Sequence, residues 1–335
     1  MKIQNGKDQK EIEISSGVYK IYGTGGVIGY TNNFLYNKES VGIGRKGTIN
    51  RPFYFNEPFW TVDTLFWCKI KENHFPKFIY YLFFTIDWNK LNQSTGVPSL
   101  TSHVIEHQKI VIPKLDEQKK IAMFFTIIDK KIDVINSKLS ILKKYKEGII
   151  NLCFSKGKKY KLLSFIHQID RRNKLNENLY VYSISNKKGF ISQEEQFDGN
   201  EIASINKKRY KIVKKDEFAY NPARINVGSI AYLQENKCQI SPMYIVFSAK
   251  EICNILLNEY FHSKYFKIEL MTHLEGSVRK SLSFNSLCDF EIKINEFNNQ
   301  YEHIFQMLNN KLHILEECFF RLQKTKNYLL KLMFI

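Results

Sequence analysis

Apolar residues recur in alternating steps of four and three along residues 121–153, which predicts one long helix with an apolar seam. The seam comprises Ile121, Phe125, Ile128, Ile132, Ile135, Leu139, Leu142, Ile149 and Cys153, and Lys146 interrupts it. The pattern returns as Tyr301, Phe305, Leu308, Leu312, Leu315, Phe319, Leu322, Leu329 and Met333, interrupted at Lys326. Each position is its counterpart plus 180. We therefore predict two copies of one unit.

The similarity extends upstream of both helices, where residues 98–112 align with residues 280–294 at an offset of 182. Pro113 would end the element that precedes the first helix. Strand-like runs, such as 61–70 and 241–249, lie in the aromatic-rich region before each helix. These features predict a mixed α+β fold with two domains and two long helices. The predicted boundaries are 1–115, 116–155, 156–295 and 296–335.

Two long helices with matching apolar seams are expected to bury those seams against each other. Antiparallel pairing with pseudo-twofold symmetry is the simplest arrangement, because it places one domain at each end of the helix pair. In the alternative arrangement, each helix packs only on its own domain.

The charge of the chain favours a polyanionic partner. Fifty Lys and Arg against 33 Asp and Glu give a formal net charge of +17, and such a surface attracts nucleic acid first and an acidic membrane second. In the alternative explanation, the base composition of the gene raises the lysine content, since Lys, Asn and Ile are all abundant.

No targeting or membrane-spanning segment is evident. The N-terminus lacks the apolar core of a signal peptide, and the longest apolar stretches, such as residues 79–84, are too short to cross a bilayer. A cytoplasmic protein without membrane attachment is predicted.

Six scattered cysteines form no CxxC pair, so neither a zinc site nor a disulfide framework is expected. His103 and His107 have a spacing compatible with metal binding but lack a nearby acidic or Cys partner. No metal site is predicted.

Motifs for chemistry are also missing. The NPAR string at 221–224 lacks the second proline and the aromatic residue of an adenine methyltransferase motif. GTGGVIG at 23–29 departs from GxGxxG at Ile28, and there is no phosphate-binding GxxxxGK[ST] loop. Asp289, Glu291 and Lys293 would share one solvated strand face rather than form a nuclease cluster. We predict no catalytic residue and no cofactor on this chain.

Several strings resemble the specificity subunits of type I restriction-modification systems. The clearest is VPSLTSHVIEHQKIVIPKLDEQKKIAMFFTIIDKKI at 97–132. Residues 22–30, 43–55 and 220–233 are similar to target recognition domains of that family. The last two also resemble each other, because Arg45, Gly47 and Ile49 correspond loosely to Arg224, Gly228 and Ile230, with two extra residues in the second copy.

The resemblance implies a non-catalytic subunit that binds double-stranded DNA and holds two adenine-methylating modification subunits and a restriction/translocase subunit. S-adenosylmethionine, ATP and Mg are then expected only on those partners. The chain departs from the family in two ways. Family members usually begin with a further segment, so the first domain is expected to lack an edge strand. The second helix lacks the Glu117–Gln118 pair and has Asn298 and Asn299 in that neighbourhood, which raises the question of whether both helices dock a partner equally.

Side chains on turn-like segments are the candidates for DNA contact, because Arg pairs with guanine and Asn with adenine, whereas lysines contact phosphates. The candidates are Arg45, Lys46, Asn50, Arg51, Arg209, Asn221, Arg224, Asn226, Arg279 and Lys280. Lys207, Lys208, Lys214 and Lys215 are expected to contact phosphates or nothing.

The two domains differ in sequence, so we predict a bipartite, asymmetric site with an unread gap. A helix of about 34 residues spans roughly 50 Å, which sets half-sites about one to one and a half DNA turns apart. Two alternatives stay open: a recognition subunit of another restriction enzyme type, and a basic coiled-coil scaffold that binds RNA or membrane.

Overall fold

The computed structural model describes residues 1–186, 189–192, 208–274, 281–295 and 298–334. By its internal contacts the chain divides into two compact units. Unit 1 comprises residues 1–137 and 316–335, and unit 2 comprises residues 138–315. Each of the two long helices contributes one part to each unit. The predicted domain boundaries, which treat the helices as separate segments, stay a prediction.

Unit 1 contains two small sheets and two short helices. Its four-stranded antiparallel sheet runs in the order β1 (Lys2–Gln4), β7 (Leu65–Lys69), β4 (Ser40–Gly44), β5 (Phe53–Phe55). Its three-stranded sheet runs β3 (Gly26–Thr31), β2 (Tyr19–Gly23), β6 (Phe59–Thr61), with β2 and β6 parallel. The helices are α1 (Pro76–Phe83) and α2 (Ser102–Glu106). The run at 61–70 is thus divided between β6 and β7.

The described residues of unit 2 form three sheets. One antiparallel sheet runs β14 (Ile230–Tyr232), β13 (Glu217–Tyr220), β16 (Ile245–Ala249), β9 (Ile166–Ile169). A second runs β11 (Gly189–Ser192), β10 (Val181–Ser185), β15 (Lys237–Ile240), β12 (Lys211–Lys214), with β10 and β15 parallel. The third pairs β8 (Lys158–Lys161) with β17 (Glu291–Ile294). The helices are α4 (Asn254–His262), α5 (Lys264–Leu274) and α6 (Phe284–Cys288).

Strand order corresponds between the units. In the four-stranded antiparallel sheets, β1, β7, β4 and β5 take the places of β9, β16, β13 and β14. In the other sheets, β3, β2 and β6 take the places of β11, β10 and β15, including the parallel pair. The side chains of Thr101 and Ser283, 182 residues apart, cap α2 and α6 in the same way. The sequence repeat stays a prediction, which this correspondence supports.

Residues 109–112 align with β17 but do not form a strand, and Val111 is 90% exposed. In unit 2 the counterpart is held by its ladder with β8. None of the described residues of unit 1 pairs with residues 109–112, so the backbone there lacks the partner that would make it a strand. Strand formation at this position therefore depends on a neighbouring strand as well as on the alternation of apolar and polar residues.

The two long helices are α3 (Leu115–Ser155) and α7 (Asn298–Met333). All the predicted seam positions are buried or half-buried except Met333. In unit 1, Leu330 of α7 packs in one core with Ile121 and Phe125 of α3. In unit 2, Phe305 of α7 shares a core with the end of α3. The start of each helix therefore lies beside the end of the other, as antiparallel pairing requires, while both also pack on the sheets and helices of their units.

The lysines that interrupt the seams form corresponding polar clusters. In unit 1, Lys326 donates to Asp129 of α3, which also accepts a hydrogen bond from the Tyr81 hydroxyl at 2.8 Å. In unit 2, Lys146 pairs with Glu259 of α4 at 2.7 Å, and the Asn309 amide donates to the same carboxylate at 2.9 Å. Each cluster places one charge pair within an otherwise apolar seam, so that a shift of register would leave buried charges unpaired.

Replacing Lys146 with methionine is expected to destabilise unit 2. The Glu259 side chain is only 2% exposed, and the substitution removes its cationic partner. The free energy of unfolding should fall by about 3 kcal/mol, as for other buried pairs that lose one partner. Urea denaturation measures the loss. Lys144→Met, at an exposed position of the same helix, is the control, and equal effects of the two changes would refute the role of the pair.

Candidate nucleic-acid interface

A turn after β4 holds the first group of predicted DNA contacts. The backbone N–H groups of Arg45 and Lys46 donate to the Thr64 carbonyl, and Gly47 N–H donates to the Pro98 carbonyl at 2.8 Å. Gly47 has a φ of +89°, which favours glycine at this position. The turn is therefore fixed by its main chain, which leaves its side chains free to contact a ligand.

The cations of this turn lie near aromatic rings. The Arg45 guanidinium lies 5.9 Å from the centroid of the Phe66 ring and donates to the Asp63 carbonyl at 3.3 Å. The Arg51 guanidinium lies 5.9 Å from the Phe53 centroid. Such contacts orient a guanidinium without neutralising it. Lys46, Asn50 and Arg51 are exposed and Arg45 is half-buried, so these four predicted residues lie on one accessible segment of unit 1.

The β2–β3 hairpin lies beside this turn. Gly23 pairs with Gly26 across the hairpin, so that Thr24 and Gly25 form its tip. A Cβ atom added to Gly47 would lie 3.6 Å from the Thr24 hydroxyl oxygen. The sequence indicated that residues 22–30 are similar to target recognition domains, but it did not place Thr24 among the candidate contacts. Two segments in which apolar and polar residues alternate, joined by Thr-Gly-Gly, indicate a tight hairpin here.

Unit 2 has a comparable turn after β13. Here Arg224 precedes a 3₁₀ turn at Ile225–Val227, and Gly228 follows with a φ of +88°. Arg224 and Asn226 are exposed. A Cβ atom added to Gly228 would lie 3.7 Å from Cβ of Asn186, which follows β10. Thus in both units a left-handed glycine lies beside a residue that follows a hairpin strand, Thr24 in unit 1 and Asn186 in unit 2, and Asn186 is a further candidate that the sequence did not indicate.

The backbone refines how the two turns align. The Arg45 carbonyl accepts from Leu100 N–H at 2.9 Å, and the Pro222 carbonyl accepts from Leu282 N–H at 3.0 Å. Since Leu100 and Leu282 are counterparts, Pro222 occupies the place of Arg45. The left-handed glycines still correspond, so the stretch from Pro222 to Gly228 is four residues longer than that from Arg45 to Gly47, and Arg224 lies within it rather than in the place of Arg45.

The other predicted positions divide into three groups. Asn221 is buried, and its side-chain oxygen accepts from Ala223 N–H at 3.0 Å, which stabilises the turn itself. Of the predicted positions described, it is the least available for DNA. Arg209 is exposed in a turn before β12, on a different segment from Arg224. Arg279 and Lys280 lie outside the described residues.

Two further cations of unit 2 are engaged internally. Arg171 makes hydrogen bonds to both carboxylate oxygens of Glu217 at 3.0 Å. Lys211 is buried and donates to the Tyr244 carbonyl at 2.8 Å, and its pKa is lowered, chiefly by burial. These cations therefore serve the fold, whereas the exposed cations of the two glycine turns can approach a phosphate or a base.

The suspected carboxylate cluster is a set of ion pairs across the β8–β17 region. Asp289 pairs with Lys161 at 2.9 Å and Glu291 with Lys159 at 2.6 Å, and hydrogen bonds from these lysines lower the pKa of both carboxyl groups. Lys293 donates to a main-chain carbonyl. No group of three or more His, Cys, Asp or Glu side chains that could hold a metal ion occurs among the described residues.

Gln118 has a structural role that the sequence did not reveal. Its side chain is buried, accepts from Phe75 N–H at 2.8 Å and donates to the Pro113 carbonyl at 2.8 Å. It thereby ties the start of α3 to the segment that begins α1. The side chains of Asn298 and Asn299 lie outside the described residues, so the prediction that the two helices dock a partner unequally stays a prediction.

The comparisons with known proteins agree with this architecture. Residues 1–144 match the model of the type I restriction modification DNA specificity domain. The predicted resemblance to type I specificity subunits is confirmed for this part of the chain.

Two curated relatives come from Methanocaldococcus jannaschii. The type I restriction enzyme MjaVIII specificity subunit is 35% identical over 85 residues, which are 23% of this chain and 19% of the relative. The putative type I restriction enzyme MjaX specificity subunit is 31% identical over 103 residues, 30% of this chain and 22% of the relative. The matches thus span about a fifth of each relative's length.

A solved structure shares the fold. The S subunit of a type I restriction-modification system from M. genitalium superposes with a TM-score of 0.73 and 15% identity, covering 99% of this chain and 93% of that one. The predicted mixed α/β class, with two domains and two long helices, is confirmed.

Proposed function

We propose that this chain is the DNA-recognition subunit of a type I restriction-modification complex and binds a bipartite, asymmetric DNA sequence. The observation that carries the proposal is the pair of left-handed glycine turns, one in each unit, flanked by half-buried Arg45 and exposed Lys46 in unit 1 and by exposed Arg224 and Asn226 in unit 2. Guanidinium and amide groups are the side chains that discriminate base edges. The residues differ between the turns, so the two half-sites should differ.

The chain is proposed to be non-catalytic by itself. Chemistry would belong to modification subunits that use S-adenosylmethionine and to a restriction subunit that uses ATP and Mg. Supporting this division, the carboxylates that most resembled a nuclease site are committed to ion pairs. Among the described helices, none has the length and apolar character needed to span a bilayer. We propose a cytoplasmic location.

A second stripe on the long helices is the proposed docking surface for partner subunits. Beside the seam of α3, exposed apolar residues recur in steps of three, four and seven: Phe124, Ile127, Val134, Ile141, Tyr145 and Leu152. Their counterparts on α7, each 180 residues further along the chain, include Met307, Ile314 and Leu332. A helix with two apolar stripes can pair with a further helix. We infer that helices of the modification subunits, two in number, cover this second stripe.

Cys318 lies on the second stripe and provides a chemical test. Burial raises the pKa of Cys68, Cys153 and Cys238 to about 12, so near pH 8 these thiols stay protonated and unreactive. Cys318 is exposed and should be alkylated first. Mass spectrometry of iodoacetamide-treated protein identifies the site. Binding of modification subunits should slow the labelling of Cys318, and unchanged labelling in an intact complex would refute this docking surface.

The function itself is tested by co-expressing the chain with the modification subunits encoded beside it and mapping N6-methyladenine across the host genome. A gapped, two-part methylated motif would establish the proposal. Methylation of a continuous motif would favour the recognition subunit of another restriction enzyme type. A chain that binds RNA or vesicles and yields no motif would be a basic scaffold instead.

A further inference from the structure

The tip of the β2–β3 hairpin contains two adjacent glycines, Gly25 and Gly26, and the fold requires only the second to be glycine. Gly26 needs glycine, because its φ is +128°. Gly25 has no such φ, and a Cβ atom added there would meet nothing within 4 Å. The fold therefore tolerates a side chain at position 25. A glycine in open space permits close approach of an external molecule to the main chain.

Val27 follows this tip and is 45% exposed. It pairs with Tyr22 across the hairpin, so the two side chains share a face. On that face Tyr22 packs against Phe53, with ring centroids 6.2 Å apart, and the Arg51 guanidinium lies over the same Phe53 ring. An exposed aliphatic side chain thus shares a face with Arg51, a proposed DNA contact.

The neighbouring residue faces the other way. A Cβ atom added to Gly23 would lie 3.3 Å from Ile28 Cγ2 and 3.8 Å from Val62 Cγ2, which places Ile28 on the opposite face of the hairpin from Tyr22. Ile28 is 49% exposed. The two adjacent aliphatic residues are equally accessible but differ in orientation.

Charge around the tip favours an anionic ligand. The Thr24 hydroxyl adjoins Gly47, whose neighbours along the chain are Lys46 and Arg45. The Asp63 main-chain oxygen, rather than its carboxylate, accepts from Arg45. This arrangement matches the major groove at a thymine. The aliphatic side chain can contact the 5-methyl group that projects into the groove, and the neighbouring cations can contact the phosphates.

We propose that the hairpin tip, Thr24 to Val27, enters the major groove and that Val27 contacts a thymine 5-methyl group in the half-site of unit 1. This inference rests on the proposed function and adds a specific base determinant to it. The glycine at position 25 lets the main chain approach the base edges, and Arg51 and Lys46 hold the flanking phosphates.

The test uses the complete complex with modification subunits and a fluorescent duplex that carries the mapped motif. Each thymine is replaced in turn with deoxyuridine, which removes only the 5-methyl group. One substitution, in the half that Arg45→Ala alters, should weaken binding about fourfold, the value of one buried methyl group. Val27→Ala should weaken binding to the thymine duplex and be insensitive to that deoxyuridine. Ile28→Ala should retain the full deoxyuridine effect.

Val27→Thr keeps the branched shape and guards against loss of folding, since it should bind the thymine duplex more tightly than Val27→Ala. A half-site without thymine, no deoxyuridine effect, or an equal deoxyuridine effect in the Val27→Ala complex would overturn the inference while the proposed function stands. An intact complex that methylates no motif would overturn the proposed function, and this inference with it.

Discussion

Replacing Phe125 with alanine should lower the free energy of unfolding by about 3–5 kcal/mol, as for other fully buried phenylalanines. Phe125 is 0% exposed at a seam position of α3. Its ring lies 5.2 Å from Tyr81 of α1 and 6.0 Å from Phe334 after α7. One side chain therefore joins both long helices to the core of unit 1, and its loss leaves a cavity that three elements border.

Phe124 provides the matched control. It precedes Phe125 in the same helix but is 43% exposed. Phe124→Ala should change the free energy of unfolding of the free chain by less than about 1 kcal/mol and should instead weaken assembly with modification subunits. Urea denaturation and size-exclusion chromatography measure the two effects. Equal destabilisation by both variants would contradict the assignment of seam and second stripe.

Lengthening both long helices by one heptad should widen the unread gap of the DNA motif. A duplicate of residues 132–138 in α3 and of residues 312–318 in α7 keeps every seam position in phase. Seven residues add about 10 Å of helix at 1.5 Å per residue, which equals about three base pairs of DNA. The methylated motif should keep both half-sites and gain about three base pairs between them.

A heptad added to α3 alone is the control for the prediction that helix length sets the spacing of the half-sites. It leaves the α3 and α7 seams unequal in length, so the variant should be unstable or inactive rather than shifted in spacing. If the doubly lengthened protein methylates the original motif with its original gap, helix length does not set the spacing.

The long helices were predictable because their signal is local. Alternating steps of four and three, with lysine at the same point in each copy, predicted α3 and α7, and the burial of their seams follows that period. The ion-pair partners were not predictable. Glu259 lies on α4, and nothing in its sequence neighbourhood indicates that it pairs with Lys146, because this contact depends on tertiary packing.

The candidate interface was predictable only in part. Arginine before a glycine turn identified the segments around Gly47 and Gly228. The neighbouring hairpin turns with Thr24 and Asn186 were missed, because a shared surface depends on how two sheets pack. Asn221 illustrates the opposite error, since a polar residue in a turn can serve the turn itself. Residues 109–112 had the pattern of a strand but no partner strand.

The most direct test of the central claim is to map N6-methyladenine in cells that express Arg45→Ala or Arg224→Ala together with the modification subunits. Loss of a bidentate arginine contact should relax one base position by about 1–3 kcal/mol. We predict that Arg45→Ala alters only one half of the motif and Arg224→Ala only the other, with the gap unchanged. A motif that changes in both halves, or in neither, would contradict the assignment of one half-site to each unit.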